Sequence, residues 1–321
     1  MLRIVAVVHC VLFALLGPAA AQKWPERTVR IVVPYNAGGG TDLVARVLAQ
    51  TLGAKLGQNF IVENKPGASG MIGAQLVAKG SAADGYTLLV ASPAEIALNQ
   101  NLFKEMAYDP LTDLTPITLL AWTPLVLAAH PSFPASTPSE LLKLAKSQSV
   151  DFSSPGTGSS HHLAGEYLNF LQGTHFTHVP YRGAAPAVSD AVSGHVKLTI
   201  SGMPPVVPLM KAGNLKAIAV TSKKRLPTFA DTPALSEMPG LEGFDFTNWF
   251  GLLARTGTPQ PILDVLAKAS VEALKDPKVR EVLETQAAVP VGDTPEEFRT
   301  FIHDESEKYA KIVRVTGVKL N

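Results

Sequence analysis

Cysteine is all but missing from this 321-residue chain: the one present, Cys10, sits in an apolar run near the start. The rest of the protein therefore has no disulfide, no thiol nucleophile and no thiolate metal ligand to work with. A charge bias is missing too. With a formal net charge of +1 and no polybasic run, basic face or acidic tail, the chain offers little to nucleic acid or to an anionic membrane surface. Three catalytic signatures are absent as well. Without G-x-x-x-x-G-K-[ST] there is no P-loop, without H-E-x-x-H no zinc-protease helix, and without G-x-S-x-G no hydrolase nucleophile elbow. Beyond residues 4–16 no long apolar run occurs, and that one is too short to span a bilayer.

The beginning of the chain has the three parts of a secretory signal peptide: Arg3, the apolar run, and the small-residue cleavage site Ala19-Ala20-Ala21. Residues 1–21 are therefore expected to be removed, leaving a chain that starts near Gln22. Cys10 lies well before that site and is preceded by Val7-Val8-His9, which is not a lipoprotein pattern, so the exported product is expected to be soluble and unlipidated. About 300 residues remain, enough for roughly two domains, each burying its own core without staples.

The most informative segment is Val29-Arg30-Ile31-Val32-Val33-Pro34-Tyr35-Asn36-Ala37-Gly38-Gly39-Gly40-Thr41-Asp42-Leu43. Its first five residues read as a buried strand, and apolar residues from Leu43 recur at helical spacing, so the three glycines form a strand-to-helix elbow. Lacking a Cβ, they let the backbone approach a guest closely, and the free N–H groups and positive end of the helix suit a small anion. The closest approach is expected at Gly39. Leu43 occupies the place of the third glycine of G-x-G-x-x-G, which disfavours a dinucleotide. The same pattern returns at Val150-Asp151-Phe152-Ser153-Ser154-Pro155-Gly156-Thr157-Gly158-Ser159-Ser160-His161-His162, about 117 residues downstream measured from Gly39 to Gly156. Two such elbows facing each other would trap an anion between two domains at the carboxyl ends of strands.

Strand-like and helix-like segments alternate along the chain, which points to an α/β fold with parallel sheets. Strands are expected at 61–63, 86–91, 126–129, 150–153, 176–179, 196–200 and 215–220, and helices at 71–79, 138–146, 161–171, 187–193 and 261–275, with a long apolar stretch at 246–254. Thr137-Pro138-Ser139-Glu140 and Thr294-Pro295-Glu296-Glu297 are capping boxes with proline at the first helical position.

Several ordered motifs carry a family resemblance: Val33-Pro34-Tyr35-Asn36-Ala37-Gly38-Gly39-Gly40-Thr41-Asp42, Glu63-Asn64-Lys65-Pro66-Gly67-Ala68-Ser69-Gly70, Asp84-Gly85-Tyr86-Thr87-Leu88-Leu89, Thr177-His178-Val179-Pro180-Tyr181-Arg182-Gly183 and Trp249-Phe250-Gly251-Leu252-Leu253-Ala254. They span the whole mature chain, which resembles the tripartite tricarboxylate transporter substrate-binding proteins, also called the Bordetella uptake gene family. The resemblance implies a two-domain type II periplasmic binding protein, or Venus flytrap, with the ligand in the cleft between its domains. Residues 22–124 plus 250–321 are expected to form one domain and 125–249 the other. It further implies a periplasmic, monomeric, non-enzymatic receptor for a small organic carboxylate, without cofactor, that hands its ligand to membrane permease subunits.

Carried over by position, the resemblance places Tyr35, Asn36, Ala37, Gly38, Gly39, Gly40, Thr41 and Asp42 in the first ligand loop, Thr157, Gly158, Ser159, Ser160 and His161 in the second, and Ser92 at the cleft. Ser201 and Gly202 stand where many members have an acidic residue, so the far half of the site is set differently, and an organic acid without an amino group is the expected ligand. Each assignment has a plain alternative. Asp42 also suits the first turn of a helix, and Thr41 an N-cap. Tyr35 either packs on the ligand or ends a strand as a core aromatic, Arg182 reads as a solvated loop residue, and Trp249 as core. His161, His162 and Glu166 lack a third ligand, so no metal is expected. The rival functions are an extracytoplasmic sensor component and, without a nucleophile motif to support it, an exported hydrolase.

Overall fold

A computed structural model describes residues 24–320; the expected signal peptide lies outside the described residues. The chain alternates in the way its pattern predicts. Strand β1 (Val29–Val33) leads into α1 (Gly40–Leu56), followed by β2 (Phe60–Asn64), α2 (Met71–Ala78) and β3 (Thr87–Ala91). A wide helical turn (Ala94–Leu98) and the short α3 (Asn99–Leu102) precede the long β4 (Leu114–Ala129). Then come α4 (Pro138–Ser147), β5 (Val150–Ser154), α5 (Ser160–Gln172), β6 (Phe176–Pro180), α6 (Ala184–Ser193), β7 (Leu198–Gly202), α7 (Met203–Lys211) and β8 (Lys216–Val220). The chain closes with β9 (Thr247–Arg255), α8 (Gln260–Lys275), α9 (Pro277–Thr285), β10 (Val289–Pro290) and α10 (Pro295–Thr316).

The strands lie in the order β2-β1-β3-β9-β4-β7-β5-β6, with β8 and β10 pairing off β4. β2, β1 and β3 run parallel at one end, β7, β5 and β6 at the other. Between them, β4 and β9 are antiparallel. β4 pairs with β9 up to Pro124, and from Leu125 onward with β7 and β8. Both faces of β1 are covered: Val29, Ile31 and Val33 join the core beneath α1 and α8, whereas Val32 faces the cluster that holds Leu89 and Trp249. Burial on two sides is why β1 reads as a β-branched run, broken only by the exposed Arg30, rather than as an alternating one. Trp249 is wholly buried and donates its indole N–H to Glu305 at 3.0 Å, in keeping with its reading as core.

Local signals for helix starts translate directly: both capping boxes form, at Thr137 with Glu140 and at Thr294 with Glu297. Four expectations need correction. Only the last quarter of β4 was expected; the strand also carries Pro116 and Pro124, and its register against β9 shifts between Pro116 and Thr118 and again between Leu119 and Ala121. α7, which carries Pro204, Pro205 and Pro208, was not expected at all. Two of them lie in the first turn, where a missing N–H removes no helical bond. Strand β7 begins two residues later than expected, so Ser201 and Gly202 are its last residues, not a loop after it. The N-cap of α1 is Gly39, not Thr41, which lies inside the first turn and makes no capping bond.

Candidate functional site

Loops from five strands converge on one narrow cleft that is partly open to solvent. The β1–α1 loop brings Tyr35, Gly39, Gly40 and Thr41; the segment after β3 brings Ser92 and Ala94; the β5–α5 loop brings Pro155, Ser159, Ser160 and His161. Ala184 comes from the start of α6, Gly202 and Pro205 from the β7–α7 junction, and Asn248 and Phe250 from β9. Wider hollows exist on the surface, such as the one beside Trp24 and Arg27, but the start of α8, at Pro259 and Ile262, is the only helix start among the residues lining it. The cleft is different: it gathers the N-terminal ends of four helices, α1, α5, α6 and α7.

In the first loop the order comes from a charge turned away from the cavity. Asp42 is buried and accepts bonds from the Gly38 N–H at 3.0 Å, the Arg46 guanidinium at 2.9 Å and the Asn64 amide at 3.0 Å. Burial works against its ionisation, but the bonds from Arg46, Gly38 and Asn64 outweigh it and hold the carboxyl below its usual range. The Asn64 amide also donates to the Tyr35 carbonyl at 2.9 Å, fixing the other end of the loop. Gly38 has φ +86°, a backbone state that a side chain would strain. These three bonds give Asp42 a role in holding the loop.

The second loop is held by hydroxyl and imidazole groups. The Ser159 hydroxyl caps α5 by accepting from the His162 N–H at 3.2 Å and donates to the Gly156 carbonyl at 2.7 Å. His162 Nδ1 accepts the Gly158 N–H at 3.2 Å, and its ring stacks on His178 at 4.0 Å. His178 Nε2 in turn meets the Ser154 hydroxyl at 2.6 Å. Burial pushes His161 down to about 3, and burial together with His162 and His161 does the same to His178. Both imidazoles are neutral at physiological pH, and His161 faces the cavity as a group able to donate or accept.

Of the residues singled out in the sequence, the structure brings together Tyr35, Gly39, Gly40, Thr41, Ser92, Ser159, Ser160, His161 and Gly202. It does not place Asn36, Ala37, Gly38, Asp42, Thr157, Gly158 or Ser201 on the cavity wall. The Thr157 carbonyl accepts a bond from Ser69 instead, and Ser201 is fully buried in β7 with its hydroxyl unpaired. Sequence reasoning missed Ala94, Pro155, Ala184, Pro205, Asn248 and Phe250. Asn248 and Phe250 flank Trp249 in a motif that had been noticed, and strand alternation was the available clue: if Trp249 is core, its neighbours face the other way. A further residue missed is Glu95, which lies behind Tyr35 and Ser92.

No Lys, Arg, Asp or Glu is among the residues lining this space. Its polarity comes from helix starts. The N–H groups of Gly40 and Thr41 in α1, and of Ser160 and His161 in α5, precede the first carbonyl their own helix could offer. α7 contributes fewer donors because Pro204 and Pro205 carry none. Phe250, Pro155, Pro205, Ala94 and Ala184 supply an apolar wall. Donors and dipole ends at the rim with carbon between them suit a small organic anion. Among the described residues no cluster of three or more His, Cys, Asp or Glu is arranged to hold a metal.

Comparison with known proteins gives one consistent picture. The sequence profile described as "Tripartite tricarboxylate transporter family receptor" matches residues 44–318. The chain is similar to Protein BugT of Bordetella pertussis, at 37% identity over all of this chain and 99% of that one. Among solved structures it is similar to R. palustris Rpa4515 with adipate (34% identity, TM-score 0.88, covering 92% of this chain and 98% of that one). It is also similar to MatC from Rhodopseudomonas palustris with bound malate (33% identity, TM-score 0.85, covering 90% and 100%).

Proposed function

This chain belongs to the tripartite tricarboxylate transporter receptor family and has its two-domain periplasmic-binding-protein fold, and from that premise we propose that it is a periplasmic solute receptor. It captures a small organic carboxylate between two lobes and delivers it, chemically unchanged, to membrane permease subunits. One observation carries the reading: the starts of α1 and α5 meet across a single cavity that has no ionised side chain on its wall. Adipate and malate in the relatives' sites support the ligand class. The lobes are residues 22–124 with 250–321, and residues 125–249, so that β4 and β9 cross between them and act as the hinge. Residues 1–21 are the export signal. The ligand lacks an amino group, because a buried ammonium needs an anionic or acceptor-rich partner, whereas no acidic side chain lines the cavity, Gly202 is neutral and the helix starts present donors.

The test is a thermal-shift screen of mono-, di- and tricarboxylates, each with its amino-acid counterpart, on the mature protein. A ligand at a hundredfold excess over its Kd adds about 2.7 kcal/mol to the folded state. No shift from any carboxylate, or conversion of the ligand to product, refutes the proposal. The structure also moves the most sensitive glycine. A Cβ at Gly39 meets nothing nearer than Ala184 at 3.7 Å, but one at Gly40 comes within 2.8 Å of the Phe250 ring. Gly40→Val should therefore weaken binding roughly 10- to 100-fold, the equivalent of 1–3 kcal/mol of overpacking, with the fold retained.

A further inference from the structure

A carboxyl group stands directly behind the cavity wall. Glu95, in the turn Ala94–Leu98, is wholly buried. Its Oε2 accepts the Tyr35 hydroxyl at 2.8 Å and the Ser92 hydroxyl at 3.0 Å, its Oε1 accepts the Ser92 N–H at 2.6 Å, and the two hydroxyl oxygens are 3.1 Å apart. Tyr35 and Ser92 both line the cavity, and Glu95 does not.

Each hydroxyl has a single hydrogen to give, and an ionised carboxylate has none. While Glu95 is charged, the hydrogens of Tyr35 and Ser92 both point back at it, and only lone pairs face the cavity. A ligand carboxylate meets repulsion there. A proton on Glu95 reverses the chain: the carboxylic acid donates to one hydroxyl, which is then free to donate its own hydrogen to the ligand. We propose that carboxylate capture by this receptor takes up one proton from solvent at Glu95, which turns the Tyr35–Ser92 pair from acceptors into a donor. The inference rests on the reading of the cavity as a carboxylate site. Glu95 is a positioning residue, since it acts through the two hydroxyls and does not reach the ligand.

The surroundings favour this. Burial, against the bonds from Ser92 and Tyr35, raises the Glu95 carboxyl to about 7, so the proton is available near neutrality. An anion arriving beside it favours the neutral form further. The titratable groups against it are Tyr35 and Tyr108, whose hydroxyl donates to the Glu95 carbonyl at 2.7 Å; both are held neutral by burial and by Glu95. The 68–70 turn presents only Gly70, and α3 has no titratable residue. On α10, which packs along the same turn, the buried groups are Tyr309 and Glu305, and Glu305 is occupied by Trp249 and Lys308. No cation contacts Glu95 among the described residues.

The mature protein is screened near pH 8 with adipate, malate and a panel of other carboxylates, and each binder is titrated calorimetrically in phosphate and in Tris, which differ in ionisation heat. The expected result is a buffer-dependent heat equal to uptake of up to about one proton, with affinity falling up to tenfold per pH unit above pH 7. In Glu95→Gln both effects should vanish, with binding retained near pH 8. As a check without a variant, the infrared stretch of a protonated carboxyl should grow when ligand is added to the wild type. Equal heats in the two buffers, buffer dependence that survives in Glu95→Gln, or no growth of the infrared band would overturn the inference while leaving the receptor reading intact. Failure of every carboxylate to bind refutes both.

Discussion

The loop at residues 35–41 and the loop at residues 155–160 both carry the chain from a buried parallel strand into the first turn of a helix, and both present that turn to the same cavity. They are held by different groups. In the first, the N-cap is a glycine with no side-chain cap, and the loop is pinned from behind by an ionised carboxylate, Asp42, shared among Gly38, Arg46 and Asn64. In the second, a serine hydroxyl caps the helix and the pins are two stacked imidazoles, His162 and His178. An anion site needs rigid donors and no competing negative charge on its wall. One loop meets this by turning its carboxylate away, the other by using hydroxyl and imidazole pins.

The comparison breaks most visibly at Asp42. Asp42→Ala leaves the Gly38 N–H and the Asn64 amide without their acceptor, while Arg46, half exposed, keeps its hydration. Two or three bonds to a charged group are lost together, so urea unfolding should show a loss of about 3 kcal/mol. A loss under about 1 kcal/mol would mean that the loop is held by its backbone alone.

Acid separates the two loops next. His161 and His178 have folded values near 3, against about 6.5 in the unfolded chain. Their contribution is fully present above about pH 6.5 and is lost as pH falls toward 3, because the unfolded chain binds the protons first. Asp42 is also depressed, but from a lower starting point, so its contribution persists until pH falls below about 4. Between about pH 6.5 and 4.5 acid should therefore act on the second loop alone, by up to about 1.4 kcal/mol per pH unit for fully buried His161, or about 2 kcal/mol at pH 5. Glu95 opposes this in the wild type: its folded value is raised, so it favours the folded state as pH falls from about 7 to 4.5. The measurement is thus the difference between wild type and His161→Gln in urea midpoint across that range. A constant difference would show that His161 is hydrated enough to titrate normally.

What was legible in the sequence was local. Both elbows, both capping boxes and most of the alternation follow from residues within a few positions of one another. What was not legible depends on partners far along the chain. The first part of β4 is a strand because β9 pairs with it, in spite of Pro116 and Pro124. Ser201 is lost to the cavity because β7 runs on to Gly202, opposite Leu125. Glu95 stands in an apolar stretch, Pro93-Ala94-Glu95-Ile96-Ala97-Leu98, and a single carboxylate there reads as a solvated residue. It is buried because α10 covers that turn and because Tyr35, sixty residues earlier, supplies a bond.

The finest distinction between the loops lies in the caps themselves. By sequence, Thr41 and Ser159 are equivalent, each a hydroxyl residue at the end of a glycine-rich loop before a helix. By structure they are not. Ser159 precedes α5 with extended backbone and its hydroxyl accepts the His162 N–H, whereas Thr41 is already in the second helical position and Gly39 holds the place of the cap. Ser159→Ala should therefore remove a true cap and reduce stability by about 1 kcal/mol. Thr41→Ala removes none and replaces a β-branched residue with a better helix former, so its effect should stay within about 0.5 kcal/mol of zero. Thermal or urea unfolding of the two variants side by side decides the point. Equal losses would place the start of α1 at Thr41, and would make the two loops alike in the one feature that now separates their first turns.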